Sequence, residues 1–163
     1  MSKPRQILNF IATFWSTFFY SGLSPKAPGT AGSLAALPLA WWAWSLPHPW
    51  GWILTAFVFV TGTWAASVRI RLTGVHDHQS IVIDEVVGIL LITSIAPRNW
   101  SAYLVAFVLF RIFDIWKPWP VSWVDKNWKG GSGTMMDDVL AALMATAIFW
   151  VLLQFFPVLV IPA

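Results

Sequence analysis

Long apolar stretches broken by short polar punctuation set the plan of this chain. Residues 27–68 contain no Lys, Arg, Asp or Glu, a length roughly twice one membrane crossing. Leu46-Pro47-His48-Pro49-Trp50-Gly51 interrupts them and predicts a tight turn. Two spans are therefore expected, over about 32–46 and 50–68. Arg69 and Arg71 close the second, and a third is expected over about 80–96. Pro97-Arg98-Asn99 marks another turn, and a fourth span covers about 100–116. Residues 117–134, with Lys117-Pro118-Trp119-Pro120 and Gly130-Gly131-Ser132-Gly133, predict a polar loop. A fifth span starts near Met135, with Asp137 and Asp138 in its first turn, and residues 139–163 carry no charge. At the other end, Lys3 and Arg5 precede aromatic and aliphatic residues mixed with Asn9, Thr13, Ser16 and Thr17. That mixture predicts a helix lying in the membrane interface. The charge order is that of a signal peptide, but no small-residue cleavage site follows.

Composition supports this plan. The chain has 163 residues, of which 58% are hydrophobic and 10% charged. Its mean hydropathy is +0.68, and soluble domains carry about 25% charged residues. A soluble chain this small cannot bury so much apolar surface. The expected fold is all-α, a polytopic integral membrane helical bundle of about five spans plus an N-terminal interfacial helix, forming one domain over 1–163. The absence of Cys excludes disulfides, Cys-ligated zinc and a cysteine nucleophile. The 13 Trp residues suit interfacial belts.

Charge placement adds sidedness. With five spans, Lys3, Arg5, Lys26, Arg69, Arg71, Arg111, Lys117, Lys126 and Lys129 share one side, and only Arg98 takes the other. By the positive-inside rule that shared side is cytoplasmic. All seven acids fall between residues 77 and 138, and the same five spans put them on that side too. Acids at the edge of a membrane helix are costly and usually mark function.

The candidate chemistry follows from those acids. The stretch from His76 through Asp77, His78, Ser80, Asp84 and Glu85 to Gly88 runs into an apolar segment, and Asp114 and Asp137-Asp138 repeat the theme. Gathered carboxylates repel unless a cation lies between them. Oxygen ligands without Cys favour a hard ion, Mg²⁺ over zinc. Helix capping is the competing explanation for Asp137 and Asp138. It fails for Asp114 near a helix C-terminus, where Arg111 and Lys117 are the candidate partners. Arg111 is the candidate phosphate clamp. The Gly/Pro-rich stretch from Gly22 to Leu34 can cradle phosphate with backbone N–H groups and with Lys26, Thr30 and Ser33. Capping by Thr30 or Ser33 is its plainer reading. His76 and His78 read as zinc ligands, a general acid or plain boundary histidines. Gly88 and Ala141-Ala142 read as close-packing positions.

Four stretches together resemble the phosphatidylglycerophosphatase A family: Gly22-Leu23-Ser24-Pro25 with Pro28-Gly29-Thr30 and Gly32-Ser33; Asp77 with Ser80-Ile81-Val82, Asp84-Glu85 and Gly88; Phe110-Arg111, Asp114 and Lys117-Pro118-Trp119-Pro120; and Asp137-Asp138. The resemblance covers nearly the whole chain. It implies a Mg²⁺-dependent, multi-pass lipid phosphatase of the bacterial inner membrane, its active site facing the cytoplasm, that converts phosphatidylglycerophosphate to phosphatidylglycerol. The implied catalytic residues are Asp77, Asp84, Arg111 and Asp114. Phosphate contacts fall to Thr30, Ser33, Arg111 and Lys117, and metal ligands to Asp84, Glu85, Asp137 and Asp138. The partners implied are the lipid substrate and the membrane, with no nucleic acid. Three other readings compete. The signature of a CDP-alcohol phosphotransferase does not occur. A small divalent-cation transporter would place acids deep in the spans, and a purely structural protein would scatter them.

Overall fold

The computed structural model describes residues 3–76 and 78–156, and all regular structure in them is helical. The helices are α1 (Lys3–Ser16), α2 (Pro28–Ala43), α3 (Trp50–Thr73), α4 (Ile83–Thr93), α5 (Trp100–Trp116), α6 (Val121–Asn127) and α7 (Gly131–Phe155). A 3-10 turn at Ser21–Leu23 leads into α2.

The shortest of the expected crossings is the centre of the bundle. Helix α4 packs against α7, α2, α3 and α5, and Ile83, Val86, Val87, Ile89, Leu90 and Ile92 are buried. It has no outward face, so its residues read as one apolar run rather than an amphipathic stripe. Small side chains let neighbours close on it. Gly88 lies against the ring of Phe110, which a Cβ would strike. Ala141, Ala142 and Ala145 of α7 and Ala65 and Ala66 of α3 are likewise buried.

Length and composition separate the helices. Among the described residues, only α3 and α7 are long and apolar enough to cross a membrane. Only 33% and 28% of their most apolar windows are buried, whereas the core helix of a soluble protein is mostly covered. Exposed Phe57, Val60, Leu143 and Trp150 on these two helices need an apolar surrounding. The chain is therefore membrane-associated. The other three expected spans are shorter. Helix α4, with 11 residues, rises only about 17 Å, roughly half of a hydrocarbon core.

The loops depart from expectation in two places. The stretch 117–134 is not all loop: Val121–Asn127 forms α6, with Val121 and Val124 buried. Gly131-Ser132-Gly133 is the first turn of α7. Those glycines answer to close approach rather than to a turn. A Cβ on Gly131 would meet Ser67 and the Thr63 carbonyl of α3, and one on Gly133 would meet the Trp128 carbonyl.

The two ends of the bundle differ in kind. At one, Trp44 donates its indole N–H to the Leu90 carbonyl at 3.1 Å and to Thr93 Oγ1 at 3.1 Å. There Trp41 stacks on Trp100 at 4.5 Å, with Arg98 5.1 Å over Trp41. The N-termini of α2 and α4, the C-terminus of α5 and the first turns of α7 form the other end, where the acids lie. Gly88→Val should destabilise the fold by about 1–3 kcal/mol through overpacking against Phe110. Thermal unfolding in detergent checks this, and an unchanged midpoint would contradict the packing described.

Candidate active site

Each acid reaches the same cleft by a different local route. Asp84 and Glu85 occupy the first turn of α4, and the Glu85 N–H donates to Asp84 Oδ1 at 3.0 Å. The segment entering that turn is pinned. The Val82 N–H donates to the Ser16 carbonyl at 2.9 Å, and Gly22 abuts Val82 and the Ser80 carbonyl. Ser80 Oγ accepts from Arg69 at 3.1 Å and lies 2.9 Å from His78 Nδ1. Asp114 sits in the last turn of α5, bonded to Arg111 one turn earlier.

Asp137 and Asp138 are not in the first turn of α7, where capping would place them. The helix begins at Gly131, so they lie about 9 Å inside it. Capping does not explain acids at that depth, and their neighbours do. Lys117 Nζ donates to Asp137 Oδ2 at 2.7 Å and to Asp125 Oδ1 at 2.5 Å. Lys117 takes a left-handed backbone conformation as the C-cap of α5 (φ 45°). A non-glycine residue there carries strain of the kind found at functional sites. Asp125 lies on α6, a helix within a stretch whose Pro and Gly content reads as loop, so composition alone does not point to it.

The cleft has a volume of about 480 Å³. Its walls are Ala27, Pro28 and Gly29 at the start of α2, then Gln79 and Ile81, and the carboxylates of Asp84, Glu85, Asp114, Asp137 and Asp138. Arg111 and Lys117 are its cations. Arg111 Nη1 lies 3.6 Å from Glu85 Oε1 and also pairs with Asp114. Gly29 has no room for a side chain, because a Cβ would strike Glu85 Oε1 and crowd Arg111. Pro28 has no N–H, so Gly29 is the first residue of α2 with a backbone donor, and it lies against the acids.

These residues fit a hard divalent cation. One oxygen from each of Asp84, Glu85 and Asp138 lies within 4.8 Å of the others. Glu85 Oε2 and Asp138 Oδ2 are buried without a hydrogen-bond partner among the described residues. Buried carboxylate oxygens without partners are costly, and a cation on oxygen ligands removes that cost. Arg111 Nε is also a buried donor without a partner among the described residues.

The other expected site residues that the structure describes fall outside the acid cluster. Ser33 is fully buried and donates to the Gly29 carbonyl at 2.8 Å, so it braces the first turn of α2 and does not line the cleft. Thr30 lines an adjoining apolar recess with Arg111. Neither caps α2, whose N-cap is Ala27. His76 Nε2 accepts from the Gly130 N–H at 2.9 Å, tying the loop to the start of α7. Asp77 lies outside the described residues.

Comparison with known proteins agrees with the geometry. The family described as Phosphatidylglycerophosphatase A matches residues 14–153. A Phosphatidylglycerophosphatase A of Escherichia coli (strain K12) is 38% identical over 151 residues, covering 92% of this chain and 84% of the relative. One from Haemophilus influenzae is 41% identical, covering 82% and 86%. A Bacteroides thetaiotaomicron relative named as a candidate phosphatidylinositol-3-phosphatase is 41% identical, covering 88% and 91%. No solved structure matches the chain.

If the carboxylates form a cation site, Asp138→Asn should raise the unfolding midpoint in EDTA, because a neutral amide relieves repulsion. It should also abolish the rise on adding Mg²⁺. In the wild type that rise should correspond to about 2.7 kcal/mol at a hundredfold excess over the dissociation constant. Equal Mg²⁺ responses in the two proteins would contradict the site.

Proposed function

The chain belongs to the phosphatidylglycerophosphatase A family, a family of phosphatases, and from that membership and the charge of the cleft we propose that it hydrolyses phosphatidylglycerophosphate to phosphatidylglycerol and phosphate, with Mg²⁺, at the cytoplasmic face of a bacterial inner membrane. One observation carries the reading. Among the described residues, five carboxylates face two cations in a cleft at one end of an apolar bundle, an arrangement to which added positive charge would admit an anionic phosphate.

Asp84, Glu85 and Asp138 would hold the Mg²⁺, with Asp137 beside them on Lys117. The ion supplies neutralisation of phosphoryl oxygens and Lewis acidity. The chain supplies orientation. Arg111, held between Glu85 and Asp114, lines the cleft and would offer its guanidinium to a phosphoryl oxygen. At the α2 N-terminus Gly29 brings a backbone N–H to the cleft wall. Hydrolysis breaks the bond between phosphorus and the terminal glycerol oxygen. Water contributes the oxygen that ends in phosphate, and the glycerol oxygen takes up a proton.

The proposed topology has α2, α3, α4, α5 and α7 crossing in alternation, with α1 in the interface. The acid end then faces the cytoplasm, as the nine basic residues require, and the Trp-rich end faces away. The transport reading finds no support, since the acids gather at one end of the bundle. A phosphoinositide headgroup is the second reading, favoured by the name of the Bacteroides relative.

Purified enzyme should release phosphate from phosphatidylglycerophosphate with Mg²⁺ and not with EDTA. Asp84→Asn should lose at least about a hundredfold in kcat while remaining folded and inserted. Faster release from a phosphoinositide would transfer the reading to that headgroup, and release undiminished by EDTA would overturn the metal. Single cysteines at positions 98 and 129, in a chain that has none, should label from opposite sides of the membrane. Labelling of both from one side would refute the topology.

A further inference from the structure

A second recess of about 610 Å³ adjoins the acid cleft. Its walls are Thr30 of α2 and one face of α5 carrying Val108, Arg111, Ile112, Ile115 and Trp116. Arg111 and Ile115 line both cavities. Val108, Ile112 and Ile115 recur at helical spacing, a stripe about 10 Å long. All three are exposed, as is Trp116 at 74%. Apart from Thr30 and Arg111, the recess is wholly apolar.

We propose that this groove seats an acyl chain of the lipid substrate, so that the lipid enters sideways from the membrane along α5 between the acid cleft and Trp116. The proposal rests on the function proposed above. The occupant follows from continuity: among the described residues, Arg111 and Ile115 form the wall shared by a phosphate-sized polar cleft and an apolar groove. One molecule with phosphate at one end and hydrocarbon at the other fills both. Another apolar recess, between α3 and α7, is lined by Trp52, Phe59, Val60, Leu91 and Met136 and touches none of the acids, so it lacks that continuity. In the filled site Arg111 stands where the charged headgroup meets the chain, and Thr30 borders the same junction. Val108 and Ile112 then govern affinity for the lipid without touching the reacting phosphate.

The full-length enzyme in mixed micelles tests this with Val108→Trp and Ile112→Trp. Both positions are exposed, so the larger side chains occupy the groove without entering the core. For dioleoyl phosphatidylglycerophosphate, KM should rise about tenfold with kcat little changed, equivalent to losing the burial of roughly two methylene groups. For the water-soluble deacylated headgroup, kcat/KM should stay within about twofold of the wild type. An unchanged KM for the lipid, or an equal loss on both substrates, would overturn the proposal. A lipid phosphomonoester with a diazirine in one acyl chain gives a readout independent of turnover. Its crosslinks to the wild-type protein should concentrate on residues 108–116 and fall when unlabelled substrate is added. Crosslinks spread equally over α3 and α7 would overturn the groove. Absence of phosphate release from any lipid by the wild type would instead overturn the function on which the groove depends.

Discussion

Mutual repulsion among buried carboxylates is the constraint on which the rest of the structure depends. Asp84, Glu85, Asp114, Asp137 and Asp138 converge from three helices on a cleft with two cations. Packing an apolar core in their place would be more stable, so acids gathered at the end of an apolar bundle support the proposal of a site built to hold positive charge. The fold spends its most rigid parts on this task. Helix α4 is enclosed by four others, and its first turn is fixed through the bond from Val82 to Ser16. Lys117 fastens α5 to both α6 and α7 through Asp125 and Asp137. These carboxylates cannot drift apart without unpacking the core.

The same electrostatics orders the proposed reaction. In that proposal Asp84, Glu85 and Asp138 would hold the ion, which would supply the positive charge that Arg111 alone does not, and Arg111 would orient the phosphoryl group. Depth contributes too, because the two acids of α7 sit well inside its N-terminus and charge interactions there are screened less than at a surface. The apolar flank of α5 beside Arg111 completes a surface suited to a substrate with a charged end and a hydrocarbon end.

Much of this was legible in the sequence, because apolar length and charge placement are strong signals. Helix α5 occupies the residues expected to be helical, Trp100–Trp116, with Asn99 accepting from the Ala102 N–H as its cap. The start of α3 at Trp50 likewise follows the Pro47-His48-Pro49 break. The concentration of acids between residues 77 and 138 points to one site, and five of the six acids it singles out line one cleft, Asp77 lying outside the described residues. What escaped depends on tertiary contact. Gly131 and Gly133 read as a loop by composition, yet they are small because α3 and Trp128 press against them. Moving the start of α7 back to Gly131 removes the capping explanation for Asp137 and Asp138. Asp125 is visible only once Lys117 turns back toward α6. Ser33 has the chemistry of a phosphate ligand, but its hydroxyl is spent on its own helix.

The most direct measurement is electron paramagnetic resonance of Mn²⁺, as a Mg²⁺ surrogate, with the detergent-purified protein. The wild type should bind Mn²⁺ in competition with Mg²⁺, and Glu85→Gln with Asp138→Asn should remove that binding while leaving the helical content unchanged. Absence of Mn²⁺ binding by folded wild-type protein, or equal binding by the double variant, would contradict a cation site built on these carboxylates.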